Sequence, residues 1–150
     1  MKYLVGNKKD FLNFLNKIGK KDKIAILVHN DLDGMVSALF LEKILATRKL
    51  KANFIEFLGH SKNVVIRIVK DLKEKRISKV FVLDFSIDLG YPEDFEKFRK
   101  EFDIFLIDHH PIHPNLKDKK GMIKTESNNC TALVLYDLAK DFFDVASLDW

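Results

Sequence analysis

Three continuous apolar runs of strand length, at residues 24–28, 80–83 and 104–107, most constrain what this chain can fold into. A strand that is apolar at every position must be buried on both faces, as in a parallel sheet lying between two layers of helix. The intervening segments 35–46, 63–74, 92–100 and 131–143 carry helical spacing, and Pro92 stands at a helix start, where a missing N–H costs little. Segments 52–58 and 122–124 read as two further strands. Before them, residues 10–18 place Phe11, Leu12, Leu15 and Ile18 on one helical face, with Gly19 following as a cap. This alternation predicts an α/β fold: a doubly wound, mostly parallel five-stranded sheet with helices on both faces.

No repeat, low-complexity stretch or linker divides the 150 residues, so a single domain at 1–150 is expected. Apolar residues make up 47%, which excludes a disordered chain. The lone Cys130 cannot form an internal disulfide and reads as a small packed residue. Residues 1–9 lack the apolar stretch of a signal peptide, and no apolar run approaches the roughly 20 residues that span a bilayer. The expectation is a cytoplasmic protein without a membrane partner. A net charge of +4 is compatible with an anionic partner such as nucleic acid, although most of the lysines read as solvated helix faces.

Chemistry concentrates where the apolar runs end. His29, Asp31 and Asp33 follow the first run at i, i+2 and i+4, a period that puts them on one side of extended or turning backbone. Gly34 then permits a sharp turn into the next helix, and the N–H groups around Met35 to Ser37 could hold a phosphate oxygen. The plainer reading of this turn is Asp33 as a helix cap. Asp84 ends the second run, whereas Asp88, four residues on, reads as a solvated turn carboxylate. Asp108, His109 and His110 end the third run; adjacent imidazoles after a buried strand need partners for both ring nitrogens and are poor core filler. His60 and His113 fall in loops and read as surface residues. Ser127, Asn128, Asn129 and Thr131 precede an apolar helix as ordinary caps, or as a second anion-binding N-terminus. The segment 110–121, with Pro111 and Pro114, reads as a mobile surface loop beside this edge. Aspartates with histidines and no cysteine suit Mn²⁺ or Mg²⁺ better than structural zinc.

Taken in order, His29-x-Asp31-x-Asp33-Gly34, Asp84, Asp108-His109-His110 and the Ser/Asn turn resemble the motifs of the DHH phosphoesterase family, over roughly residues 24 to 140. The form of the first motif resembles the RecJ-like nucleases more than the manganese pyrophosphatases. The resemblance implies two Mn²⁺ ions: His29 and Asp31 on one, Asp33 and His109 on the other, and Asp84 bridging. It implies that His110 meets the scissile phosphate, that Asp108 supports the imidazoles, and that Ser127, Asn128 and Asn129 lie at the substrate. The reaction implied is two-metal hydrolysis of phosphodiesters in single-stranded nucleic acid or short oligonucleotides.

The family pattern also includes a further Asp from a later helix and a glycine-rich substrate domain. Asp144 and Asp149 do not sit in an apolar helical pattern, and no such domain falls within these residues. The alternative expectation is therefore a catalytically incomplete domain, working as an interaction module or with a protein partner that completes its cleft. A pyrophosphatase is the least favoured reading.

Overall fold

The computed structural model describes residues 1–116 and 120–144. Its elements run β1 (Tyr3–Val5), α1 (Lys8–Asn16), β2 (Ile24–His29), α2 (Leu32–Thr47), β3 (Phe54–Leu58), α3 (Val64–Glu74), β4 (Lys79–Leu83), α4 (Ile87–Gly90), α5 (Pro92–Glu101), β5 (Asp103–Asp108), β6 (Met122–Thr125) and α6 (Thr131–Ala139), with a 3-10 turn at Pro114–Leu116. The sheet has six strands in the order β1-β6-β5-β4-β2-β3, one more than the five expected. The additional strand, β1, pairs antiparallel with β6, and all other pairings are parallel. Three residues at a sheet edge carry too short a pattern to be read from sequence.

Side chains of each central strand alternate between two cores, which is why the runs are continuously apolar. Ile24, Ile26 and Val28 of β2 join Phe81, Leu83, Phe105 and Ile107 beneath α1, α2 and α6. Ala25 and Leu27 join Val80, Val82, Ile104 and Leu106 beneath α3, α4 and α5. The chain leaves β2 outward to β3, then crosses back to β4 on the other side of β2. That reversal opens a crevice beyond the carboxyl ends of β2 and β4, the usual ligand position in open α/β sheets. Among the described residues, no helix is long and apolar enough to cross a membrane.

Helix α2 starts three residues earlier than the sequence pattern suggests, because Asp31 is its cap: its carboxylate accepts from the Gly34 N–H at 2.9 Å. Asp33 therefore sits inside the first turn and is free to point elsewhere. Gly34 is not needed for an unusual backbone angle, as the sequence reading supposed. A Cβ there would lie 2.1 Å from the His29 carbonyl oxygen, so glycine lets α2 pack directly onto the end of β2. Gly34→Ala is expected to lower unfolding stability by about 1–3 kcal/mol through overpacking, measurable by urea denaturation; a neutral effect would show that this packing gives way freely.

Candidate metal centre

Three strand ends bring the acidic and imidazole groups together. His29, the last residue of β2, donates from Nδ1 to Asp31 Oδ2 at 2.7 Å. Burial pushes the Asp31 carboxyl up, but the Gly34 N–H and His29 outweigh it and hold the group below the ordinary range. Asp84 follows β4 in the left-handed backbone region, with φ of 55°, a conformation Asp tolerates better than most residues. Its carboxylate is buried and accepts a 2.9 Å hydrogen bond from the Thr131 hydroxyl. From β5, His109 places Nε2 3.4 Å from Asp84 Oδ1 and 3.7 Å from Asp33 Oδ2.

The result is two ligand-type groups that share Asp84. His29, Asp31 and Asp84 form one, and Asp84, His109 and His110 form the other, each with its donor atoms within 4.8 Å of one another. Asp33 lies beside the second group, but its carboxylate also serves α6, accepting from the N–H of Thr131 at 2.8 Å and of Ala132 at 2.7 Å. The N-terminus of α6, read from sequence as open to an anion, is thus used by an internal carboxylate. Ser127 and Asn128 are exposed in the preceding turn, and Asn129 folds back to donate to the Glu126 carbonyl. None of the three caps α6: its cap position is Cys130, which makes no side-chain cap bond. Cys130 is also exposed, not packed as expected, because the chain crosses the surface there before α6 turns inward.

As a purely protein network this cluster is unsatisfied. Burial, then the neighbouring Asp33 charge, pushes the Asp84 carboxyl up to about 8. The Nδ1 atom of His109 is buried with no hydrogen-bond partner among the described residues. Excess carboxylate charge and spare imidazole nitrogen are the donor set a hard or borderline divalent cation takes, so the residues fit the ions expected here.

Behind the cluster lies a charge network of which the sequence reading gave Asp108 beside the imidazoles but not Lys124 or Asp88. Asp108 is fully buried and accepts at Oδ1 from His110 Nδ1 (2.7 Å) and from the His109 N–H (2.9 Å). Its Oδ2 meets the ammonium of Lys124 at 2.5 Å. Lys124, only 1% exposed at its side chain, also meets Asp88 Oδ1 at 2.9 Å and the carbonyls of His110 and Pro111. Asp88 is therefore a buried ion-pair partner and not the solvated turn carboxylate expected. Burial would raise the Asp108 carboxyl, but His110 and Lys124 hold it down to about 2, and Asp108 in turn raises His110.

His60, read as a surface loop residue, stands at the rim of the cluster, its ring 5.8 Å from that of His29. Burial lowers its basicity, and His29 and His110 lower it further. The loop 110–121 contains the 3-10 turn, and its residues 117–119 lie outside those described, as does Asp149.

A fold and a site of this kind define an α/β protein that gathers aspartate and histidine at a topological switch point. The model of the DHH family, N-terminal domain, matches residues 23–148, and the chain belongs to that family. Among curated proteins, none matches significantly. Among solved structures, the chain is similar to exonuclease RecJ bound to manganese, with a TM-score of 0.65, 15% identity, and coverage of 99% of this chain and 39% of that one. It is similar to RecJ in complex with Mn²⁺ from Thermus thermophilus at TM-score 0.61 and 14% identity, covering 89% of this chain and 20% of that one. It is also similar to CDC45 from Entamoeba histolytica, at TM-score 0.60 and 13% identity, with 91% and 30% covered. At these identities the likeness is one of fold, and the chain spans well under half the length of each.

Proposed function

We propose that this chain is a divalent-metal-dependent phosphoesterase domain, RecJ-like in acting on phosphodiester bonds of single-stranded nucleic acid or short oligonucleotides. The observation that carries the proposal is the pair of ligand groups sharing the buried Asp84. In this reading His29 and Asp31 hold one Mn²⁺, Asp33 and His109 the other, and Asp84 serves both, with Mg²⁺ as a substitute. Bound there, the ions would lower the pKa of a coordinated water so that hydroxide forms near neutral pH, and would offset the charge of the phosphoryl oxygens.

The chain's own residues do the rest. His110, its Nδ1 committed to Asp108, presents its remaining nitrogen to the phosphate. Asp108 fixes that ring and the backbone of His109, and Lys124 fixes Asp108. Ser127 and Asn128, exposed beside α6, are assigned to the substrate path with Asn129. Residues 1–150 are read as one DHH-type domain.

The test is release of nucleotides from single-stranded DNA and short RNA by the purified chain. Mn²⁺ should be required, and chelation should end the reaction. A metal-loaded chain inert toward every phosphodiester sinks the enzymatic reading. It would leave the interaction-module reading, for which native co-purification of a partner is the criterion. Phosphate release from pyrophosphate alone would favour the pyrophosphatase reading instead.

A further inference from the structure

Beside the metal centre three aromatic rings lie nearly parallel. His60 stacks on Phe85 with centroids 4.6 Å apart and planes 21° apart. Tyr91 lies 6.1 Å from His60 at 17° and 6.3 Å from Phe85 at 16°. The phenylalanine pairs of the core behave differently: Phe11–Phe81, Phe14–Phe81 and Phe98–Phe102 meet edge to face at 64°, 78° and 68°. Edge-to-face and offset-stacked contacts are both ordinary ways to pack rings, and the parallel form here is the one at the surface. His60 is the exposed member of this parallel pair, the one ring of the two that a solvent-side ligand can reach.

The order of burial points the same way. Phe85 is fully buried, Tyr91 half-buried and His60 exposed, so the His60 ring lies on the buried Phe85 at the rim, with Tyr91 to one side of both. The loop carrying His60 is held at both ends. The Tyr91 hydroxyl donates to the Ser61 carbonyl at 3.0 Å, and the Asn30 N–H donates to the Leu58 carbonyl at 3.1 Å. Among the described residues, neither ring nitrogen of His60 makes a hydrogen bond, so no polar contact explains why an imidazole is held there.

We propose that His60, backed by Phe85 and Tyr91, is a stacking platform for the nucleobase adjoining the scissile phosphate. The inference rests on the phosphodiesterase reading above and adds to it the part of the substrate recognised. His60 borders His29, so a phosphate held at the cluster brings its own nucleoside to this ring. Imidazole is among the side chains on which single-stranded bases stack. Stacking tolerates any base, so the platform selects nucleotides over pyrophosphate or simple esters without selecting sequence. Because the loop is already anchored, little ordering is needed on binding.

Two strands of equal length and phosphate count test this: oligothymidine and a fully abasic analogue, both with hydrolysis-resistant phosphorothioate links. Fluorescence anisotropy with the Mn²⁺-loaded chain should show the thymidine strand bound roughly tenfold more tightly, the scale of one stacked base. His60→Ala, checked for an unchanged melting temperature, should bind both strands equally, and His60→Phe should restore the preference. Equal affinity in the unsubstituted chain, no binding of either strand, or a preference that survives His60→Ala overturns the platform. Cleavage of an abasic strand with ordinary phosphodiester links reads the phosphoesterase activity separately, so that proposal stands or falls on its own result.

Discussion

Asp84→Asn is expected to abolish Mn²⁺-dependent hydrolysis and metal-induced stabilisation, while leaving the metal-free protein more stable at pH 8 than the unsubstituted chain. The reason is the position of Asp84 between both ligand groups and beside Asp33. In the metal-free fold its carboxyl is pushed up to about 8, against an ordinary 3.8. A raised carboxyl favours folding while protonated. Its contribution is therefore complete below about pH 4 and is lost as pH rises through about 8. Metal-free protein should accordingly melt at progressively lower temperature across that window, and the asparagine variant should show a flatter dependence. Ions held at one hundred times their dissociation constant add about 2.7 kcal/mol. For a chain of this length that is roughly 5–10 °C of melting temperature. Calorimetric titration with Mn²⁺ and thermal melts at pH 5 and pH 8 separate these effects. Binding that survives the substitution would show that Asp84 is not the shared ligand.

The central sheet was legible because burial on both faces leaves an unmistakable trace: β2, β4 and β5 are apolar at nearly every position. The motifs at their ends were legible for a related reason, since polar groups gathered just beyond a buried strand have little structural use. Edges and tertiary charge pairs left weaker traces. β1 is three residues long, and α4 only four, below the length at which periodicity carries information. The start of α2 was misplaced because Asp31 and Asp33 are both good caps, and only the structure shows which one turns back to Gly34.

Lys124 left a signal that can be read in retrospect. It continues the alternation of Met122 on the same face of β6, an inward position, and a lysine there demands a carboxylate opposite. Asp108 is its register partner on β5. Asp88 could not be assigned to the same network from sequence, because α4 carries it back towards β6 through contacts that no local pattern encodes. His60 lies in an exposed loop as read, but its ring contacts left no trace: nothing around Gly59-His60-Ser61 says that Phe85 and Tyr91, from two distant turns, lie against it.

Lys124→Met should destabilise the chain by about 3–5 kcal/mol, because it strands two buried carboxylates. Against a typical total of about 5–15 kcal/mol that is a large fraction. The loss should not fall equally on the two partners. Asp108 retains His110 and the His109 N–H, whereas Asp88 retains, among the described residues, only a 3.4 Å hydrogen bond from the His113 N–H. Adding Asp88→Asn to Lys124→Met removes one stranded charge, so the double variant should recover part of the loss, with a coupling of about 0.5–3 kcal/mol. Acid sensitivity supplies an independent check. Asp108, held down to about 2 against an ordinary 3.8, contributes stability that is present above about pH 4 and lost as pH falls towards 2. Part of that contribution comes from Lys124, so the acid-labile component should shrink in Lys124→Met. Urea denaturation of the four chains of the cycle at pH 7 and pH 3 measures both quantities. A loss below about 1 kcal/mol would show that the ion pairs contribute no more than exposed ones do. A large loss at neutral pH together with lower activity at unchanged Mn²⁺ affinity would trace one line of force, from Lys124 through Asp108 to the ring of His110.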